Sequence, residues 1–194
     1  PDILIQAGEN LCQSHDDEWG GFTPAPKFPS PMKIDFLFSL GEAQTVRQNT
    51  EFSMKLDSCI KHTLGAMANG GLFDHVNGGF FRYCLDREWK SPHFEKMLSD
   101  NALLVSTYSR SLRKFKNPRD QKIILKILDW FEREMGSPDK GYASSLSAET
   151  NEMEGAHYLW AESELYEALG KAQGKQLEEL WGTFAKSPGP LFLP

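Results

Sequence analysis

Apolar residues recur along most of this chain with the spacing of amphipathic helices. Between residues 46 and 68 they recur every three or four positions, at Phe52, Leu56, Cys59, Ile60, Leu64 and Met67. Side chains at this spacing share one face of a helix, and that face can pack on a core. The same pattern predicts helices at residues 3–14, 32–41, 46–68, 93–115, 119–135, 162–169 and 174–185.

Two segments depart from the helical spacing and are predicted to be extended. Residues 72–84 contain Asn77-Gly78, a dipeptide typical of hairpin turns, and in residues 142–160 an apolar AHYLW follows a polar NEMEG turn. We expect short β ribbons there, inserted between helices. The alternation of helices and glycine-rich loops favours an all-α fold, either an (α/α) toroid or a plain helical bundle.

Composition and charge exclude several classes of function. The chain has 194 residues and 40% hydrophobic content, which suits one sizeable core. Its net charge of -6 and its lack of a Lys or Arg block argue against nucleic-acid binding. We expect no membrane segment, because no apolar run approaches the length that spans a bilayer. The first residues, PDILIQAGEN, also lack the pattern of a signal peptide.

Cysteine spacing and short motifs give no sign of metal or cofactor chemistry. Cys12, Cys59 and Cys84 show neither C-x-x-C nor zinc spacing, so we expect buried or bystander thiols in a reducing compartment, the cytoplasm. A phosphate loop, a nucleophile elbow and a dinucleotide fingerprint are also missing from the sequence, which disfavours phosphoryl transfer and NAD chemistry. The expectation is therefore no metal and no cofactor.

Residues 70–102, GGLFDHVNGGFFRYCLDREWKSPHFEKMLSDNA, combine rings, ionisable groups and glycines at unusual density. Rings can line a cavity, while charged and imidazole groups can hold or protonate a polyhydroxylated ligand. The stretch therefore predicts the floor of a saccharide pocket. Its candidate side chains are Asp74, His75, Arg82, Tyr83, Asp86, Trp89, His93, Glu95, Lys96 and Asp100.

A helix is predicted to begin at Ser91-Pro92, because Ser can cap a helix and Pro suits its first position. His93 would then lie in the first turn, with His93, Lys96 and Asp100 along one edge of the buried face. Glu95 would project from the far side. Each of these side chains also has a purely structural interpretation, such as an i, i+4 pair between Lys96 and Asp100.

Two kinds of chemistry fit these residues. A glycosidase needs two carboxylates at a defined separation, and Glu95 with Asp100 would project from one helix at different angles. One carboxylate would therefore come from the preceding loop, Asp74 or Asp86, and the other would be Asp100. Alternatively His93 transfers a proton at a sugar carbon, because imidazole titrates near neutral pH.

Four segments occur along the chain in this order: GGFTPAPKFPSP, GGLFDHVNGGFFRYCLDREW, PHFEKMLSDNALL and EGAHYLW. Together they resemble the spermatogenesis-associated protein 20 family. The resemblance runs from about Gly20 to Gly170. It implies a six-hairpin (α/α) toroid, similar to N-acylglucosamine 2-epimerases and glycoside hydrolases, that follows a thioredoxin-like domain. Residues 1–194 would be the first half of that toroid, without the thioredoxin-like domain and the later hairpins. The resemblance also adds Asn101 to the pocket candidates.

The leading hypothesis is a carbohydrate-binding toroid that isomerises or hydrolyses a saccharide when complete. In it His93 is the proton-transfer group, and Asp86 and Asp100 are its carboxylate partners. Arg82 and Lys96 bind hydroxyls or anions. The remaining substrate-binding candidates are the stacking rings Tyr83 and Trp89 and the polar residues Asp74, His75, Glu95 and Asn101.

The alternative hypothesis is a non-catalytic helical scaffold that supports a thioredoxin-like domain or another protein partner. Residues 147–150, SAET, replace the D-A-D-S that the family usually shows before its acidic turn, which removes a possible acid. The acidic residues of 147–154 then form only a solvated loop. Half a toroid also leaves apolar helix flanks uncovered, so we expect self-association or marginal stability, with the exposed patch in residues 162–185.

Overall fold

A computed structural model describes residues 2–22, 24–137, 139, 141–181 and 191–192 of the chain. Its helices carry most of the structure. They are α1 (Asp2–Gln13), α2 (Pro31–Glu42), α3 (Gln44–Gln48), α4 (Thr50–Asn69), α5 (Leu98–Phe115), α6 (Pro118–Trp130), α7 (Glu162–Leu169) and α8 (Lys171–Trp181), with a π-helical turn, Phe131–Met135, directly after α6.

Local sequence explains where several helices begin. The Asn49 side chain accepts a hydrogen bond from the Phe52 N–H at 3.1 Å, which caps α4 and separates it from α3. Asn117 caps α6 in the same way, and Pro118 occupies its first position. The predicted helix at 46–68 is therefore two helices, divided by a capping residue.

The strands are each two residues long and pair only as antiparallel ribbons in the described residues. They are β1 (Tyr83–Cys84), β2 (Pro92–His93), β3 (Lys96–Met97), β4 (Gly136–Ser137), β5 (Gly141–Tyr142), β6 (Ser145–Leu146), β7 (Glu149–Thr150), β8 (Met153–Glu154), β9 (Trp160–Ala161) and β10 (Leu191–Phe192). β1 pairs with β2, β3 with β6, β4 with β5, β7 with β8, and β9 with β10. The ribbon predicted within 142–160 is confirmed by β7 and β8, although residues 156–158 of the AHYLW segment form a turn. Within 72–84 a single bridge joins Phe73 to Phe80, and β1 pairs with β2 beyond the predicted segment.

The prediction that a helix begins at Ser91-Pro92 is wrong. Residues 92–97 are largely extended, and α5 begins at Leu98. Pairing with distant segments overrides the local capping signal: His93 lies opposite Tyr83, and the Arg82 N–H donates to the Glu95 carbonyl at 2.8 Å. Farther along, β3 pairs with β6. His93 consequently lies in a β ribbon and not in the first turn of a helix.

The core lies where α1, α2, α4, α5 and α6 pack on one another. Apolar residues of these helices fill it, among them Leu37, Leu56, Ile60 and Leu104. The buried Tyr108 hydroxyl donates to the Leu64 carbonyl at 2.9 Å, which ties α5 to α4. Among the described residues, no helix combines the length and apolar character needed to cross a membrane.

Candidate functional site

The extended conformation of residues 92–97 sorts the candidate side chains onto two sides. Successive side chains of a strand point in opposite directions, with a period of two. His93 and Glu95 therefore share the outer side. Phe94 and Lys96 point inward, and Lys96 is 0% exposed. A helical turn would have grouped His93 with Lys96 and separated both from Glu95, so the structure reverses the predicted grouping.

On the outer side, five residues form what we name the His93 cluster: Arg82, Tyr83, His93, Glu95 and Glu154. His93 Nδ1 lies 2.7 Å from Glu154 Oε1, and its ring stacks on Tyr83 with the ring centroids 4.9 Å apart. Arg82 Nη1 donates to Glu95 Oε2 at 2.6 Å. A ring and a carboxylate therefore fix the orientation of the imidazole, whose side chain is 27% exposed.

This arrangement suits proton transfer. When Nδ1 donates to Glu154, the other ring nitrogen, Nε2, carries the lone pair that accepts a proton. His93 Nε2 lies 3.9 Å from Glu95 Oε2, which is too far for a hydrogen bond. Glu95 thus places a carboxylate near the imidazole without occupying the nitrogen, and this carboxylate is paired with Arg82.

Asp100 lies in the first turn of α5, close enough to the His93 cluster to interact with its charges. Burial raises the pKa of the Asp100 carboxyl, the Arg82 guanidinium opposes that shift, and the Glu95 carboxylate adds to it. A raised carboxyl pKa is the property that a general acid requires. Asp100 therefore remains a candidate acid near Arg82 and Glu95 of the His93 cluster.

On the inner side, Lys96 forms a buried ion pair with Asp74. Its ammonium donates to Asp74 Oδ2 at 2.7 Å and to the Gly78 carbonyl at 2.8 Å. Burial lowers the pKa of Lys96, and the nearby Asp74 carboxylate opposes the shift. Lys96 therefore pairs with a residue of the preceding loop, whereas an i, i+4 pair would have joined it to Asp100.

Aromatic rings surround the Lys96 ammonium. It lies 4.9 Å from the ring centroid of Phe81, 5.2 Å from that of Trp130 and 4.9 Å from that of Tyr158. Each distance is within the range of a cation–π interaction. The rings replace part of the hydration that the buried cation has lost.

A cavity of about 220 Å³ opens beside this ion pair. It is lined by Asn77, Lys96, Trp130, Glu134, Leu146, Ser147, Glu149, Thr150, His157 and Tyr158. Trp130 precedes the π-helical turn and Glu134 lies within it, so this rare turn shapes one wall. Such turns occur frequently at functional sites, because they redirect side chains within a helix.

The β7–β8 ribbon connects the cavity to the His93 cluster. Glu149 lines the cavity, and its cross-strand partner is Glu154, the residue that holds His93. Residues directly opposite in an antiparallel pair point to the same face and lie about 5 Å apart. The cavity and the cluster are therefore neighbours.

The other candidates form hydrogen bonds with backbone groups of the protein. Asp86 accepts hydrogen bonds from the N–H groups of residues 88, 90 and 91, and so it closes the turn between β1 and β2. In the structure Glu154, and not Asp86, contacts His93. Trp89 is buried, and its Nε1 donates to the Trp19 carbonyl at 2.7 Å. His75 is exposed and contacts the Gly70 carbonyl.

Asn101 holds the first turn of α5 against the Phe80 backbone. Its amide donates to the Phe80 and Met97 carbonyls at 2.9 Å, and its oxygen accepts from the Phe80 N–H at 2.6 Å. The amide nitrogen and the amide oxygen of Asn101 are therefore both hydrogen-bonded within the protein. This buried amide positions the wall of the site, and it is not directed to a ligand.

Several residues of the cavity and of the His93 cluster were not among the sequence candidates. Glu149 and Glu154 were expected only in a solvated loop, and Trp130 was covered only by the helix predicted at residues 119–135. The only signal for Tyr158 and His157 was their position in the aromatic AHYLW segment. Within the described part of the chain, no group of three or more His, Cys, Asp or Glu side chains is arranged to hold a metal ion.

Comparison with solved structures identifies the fold. A sugar epimerase from a ruminal bacterium superposes with a TM-score of 0.57 at 16% identity, over 92% of this chain and 53% of that one. A cellobiose 2-epimerase from Spirochaeta thermophila DSM 6192 gives 0.56 at 18% identity, over 75% of this chain and 40% of that one. At such identities the likeness shows the fold alone. It confirms a partial (α/α) toroid with short β ribbons.

Comparison of sequences identifies the relatives, although no protein-family model matches the chain. Spermatogenesis-associated protein 20 from Homo sapiens is 36% identical over 167 residues, which are 83% of this chain and 21% of that protein. The rat protein is 36% identical over 178 residues, and an uncharacterized protein from Caenorhabditis elegans is 33% identical over 166. The chain spans about a fifth of these relatives' length, and it belongs to the family of spermatogenesis-associated protein 20.

Proposed function

We propose that this chain provides a saccharide-binding site of a carbohydrate-acting (α/α) toroid. The observation that carries the proposal is the cavity beside Lys96, where Trp130 and Tyr158 supply aromatic walls among polar groups. Small-molecule sites typically combine apolar and aromatic walls with a few polar groups that fix orientation. The apolar faces of a sugar ring can pack on such walls, and its hydroxyls can bind such polar groups.

The charges of the cavity favour a neutral ligand rich in hydroxyls. The Asp74 carboxylate balances the Lys96 ammonium at 2.7 Å. Glu134 is paired with Arg133 at 3.1 Å, so the Glu149 carboxylate gives the lining its negative excess. Carboxylates accept strong hydrogen bonds from hydroxyls, whereas they repel an anion. A neutral saccharide satisfies these groups better than a phosphorylated or acidic one.

Proton transfer is assigned to His93, with Glu154 as the carboxylate that orients it and Asp100 as a second acid. This assignment replaces Asp86, whose oxygens hold the turn between β1 and β2. Around the imidazole, Arg82 and Glu95 contribute charge, and Tyr83 contributes a ring contact. In a complete toroid this group would act on a sugar held in the neighbouring cavity, by isomerisation or hydrolysis.

A pair of matched variants tests saccharide binding by the chain itself. Glu149 lines the cavity, whereas Glu152 lies in the same β7–β8 segment outside it. Glu149→Gln should weaken binding of a neutral mono- or disaccharide about tenfold, because it removes a charged hydrogen-bond acceptor. Glu152→Gln should leave binding unchanged. Calorimetric titration with a panel of sugars measures both, and a panel with no binder would contradict the proposal.

A second variant separates chemistry from binding. In a protein that includes the complete toroid, His93→Ala should abolish sugar conversion but retain sugar binding. The free energy of unfolding should fall by no more than about 1 kcal/mol, because the side chain lies outside the core. A variant that keeps full activity would remove His93 as the proton-transfer group.

The scaffold hypothesis remains the competing proposal, and one observation favours it. Asp74, Asp86, Lys96 and Asn101 all have partners within the protein, so they stabilise loops without any ligand. In that case the chain supports a protein partner, such as the expected thioredoxin-like domain. This alternative predicts that no sugar binds and that His93→Ala has no effect on activity.

A further inference from the structure

Three aromatic rings from separate segments form a row that extends outward from the His93 cluster. The Phe28 ring contacts the Tyr83 ring, with centroids 4.8 Å and planes 30° apart, and Tyr83 stacks on His93 at 4.9 Å and 21°. Phe28 precedes α2, whereas Tyr83 and His93 belong to β1 and β2. Phe28 is 45% exposed, and Tyr83 is its only ring contact among the described residues. The outer end of this ring row is therefore open to a ligand.

The backbone holds Phe28 in a fixed position although its ring is exposed. The preceding residue, Lys27, exchanges two backbone hydrogen bonds with Cys84, at 2.7 and 2.8 Å. The Lys27 ammonium is buried and donates to Asp16 Oδ2 at 2.7 Å and to the Gly20 carbonyl at 2.6 Å. A ring whose neighbours are fixed in this way loses little conformational entropy when it binds a ligand.

The loop that holds Lys27 repeats the loop that holds Lys96. Residues 16–22 read DDEWGGF, and residues 74–80 read DHVNGGF. In each loop the first Asp and the glycine four residues later bind the buried ammonium, and the second glycine lies against a tryptophan ring. The loops follow α1 and α4, and the segments after them pair through their backbones. Phe28 and the cavity beside Lys96 therefore lie at the same end of the helices.

The ring row is continuous with the cavity through the His93 cluster. Glu154 holds His93 at the inner end of the row, and Glu149, which lines the cavity, lies opposite Glu154. The path from the cavity wall to Phe28 thus crosses a cross-strand pair, a hydrogen bond and two ring contacts. A single sugar ring in the cavity is too small to span this path, whereas a chain of linked sugar rings can span it.

We propose that Phe28 and Tyr83 form a second saccharide subsite, so that the ligand is a neutral oligosaccharide and not a monosaccharide. This inference rests on the proposed function, because the cavity must hold the sugar unit at the inner end. The exposed Phe28 ring offers an apolar surface on which the outer sugar ring packs. Beside His93, the Arg82–Glu95 ion pair supplies a donor and an acceptor for the hydroxyls of the units between them.

The test compares sugars of different length on the unmodified chain. Calorimetric titration with linear oligosaccharides of glucose, galactose and mannose, from one to five units, gives the dissociation constant of each. We expect the affinity to rise about tenfold at the length that reaches Phe28, because the outer sugar ring then buries apolar surface. An affinity that does not change with length overturns the second subsite and leaves the cavity in place. Binding of no sugar at all contradicts the cavity itself and both proposals with it.

Variants assign the gain in affinity to the ring. Phe28→Ala should bind the longest oligosaccharides about tenfold more weakly, whereas Phe28→Tyr, which keeps the ring, should bind them as the unmodified chain does. The control is Met54→Ala, at an exposed position near the start of α4 and far from the loop that follows this helix. It should leave the affinity unchanged. Full affinity in Phe28→Ala overturns the proposal.

A second measurement decides the matter even if Phe28→Ala does not fold. In NMR spectra of the unmodified chain, the Phe28 ring signals should shift when a long oligosaccharide binds, and they should not shift with the monosaccharide. Phe28 ring signals that stay in place at saturation with the long oligosaccharide would overturn the proposal.

Discussion

At the scale of single residues, the burial of Lys96 explains much of the local structure. Its ammonium is removed from water and is stabilised by Asp74, the Gly78 carbonyl and three rings. The sequence indicated that Lys96 and Asp74 belong to one site. It did not indicate that they bind each other, because the pairing depends on a strand in which Lys96 points inward.

Removal of the Lys96 charge should leave the Asp74 carboxylate buried without a counter-ion. Breaking a buried pair in this way typically costs about 3–5 kcal/mol. We therefore expect Lys96→Met to lower the free energy of unfolding by that amount in urea titration. The control Lys90→Met, at an exposed position, should change it by less than about 0.5 kcal/mol. A small effect at Lys96 would show that Asp74 is solvated.

Asp16 gives a prediction for the pH dependence of stability. Burial acts to raise the pKa of its carboxyl, but hydrogen bonds from Arg87 and Lys27 outweigh burial and lower it below the usual range. A depressed carboxyl pKa contributes stability above the unfolded-state value of about 4, and that stability is lost as the pH falls. Between pH 5 and 2, the unfolding free energy of Asp16→Asn should therefore fall less steeply than that of the unmodified chain. Equal slopes of unfolding free energy against pH would contradict the ion pairs that Asp16 forms with Arg87 and Lys27.

At the scale of elements, the sequence predicted the helices well and the loop conformations poorly. Helical spacing at residues 162–169 coincides with α7, because the pattern of buried side chains is local. Residues 92–97 follow the capping residue Ser91 and begin with Pro92, yet they pair with residues 82–84 and 145–146. Such long-range pairing cannot be deduced from local spacing. The orientation of His93 and Lys96, and with it the geometry of the site, depended on that pairing.

The start of α5 depends on Asn101, which joins it to the Phe80 backbone. Asn101→Ala would leave the Phe80 N–H and carbonyl without partners in a buried region, at a cost of about 1–3 kcal/mol for each unsatisfied group. We expect denaturant unfolding to show a loss of at least about 2 kcal/mol. Ser99→Ala, on the exposed side of the same turn, should change stability by less than about 0.5 kcal/mol. Similar effects of both variants would argue against the hydrogen bonds between Asn101 and the Phe80 backbone.

At the scale of the whole molecule, the chain forms part of a toroid that in its structural neighbours is about twice as long. It matches 53% of the ruminal sugar epimerase. Part of the predicted association surface, residues 182–185, lies outside the described residues. Within the described part, Leu169 and Leu180 are 41% and 76% exposed on α7 and α8.

The prediction of self-association through these helices can be tested directly. Exposed leucines bury apolar surface when two chains meet, which favours a dimer at high concentration. Sedimentation velocity should show association of the unmodified chain, and Leu180→Glu should shift it toward the monomer. Leu125→Glu, at an exposed leucine of α6, is the matched control and should have no effect. A strictly monomeric chain at millimolar concentration would refute the prediction.

We propose that the cavity beside Lys96 binds a neutral saccharide. Crystals of the chain soaked with the sugar that binds most tightly in solution test it most directly. We expect sugar density between Trp130 and Tyr158, with hydroxyls within hydrogen-bond distance of Glu149. An empty cavity in crystals that carry the same sugar at another surface, or in crystals with no bound sugar at all, would contradict it.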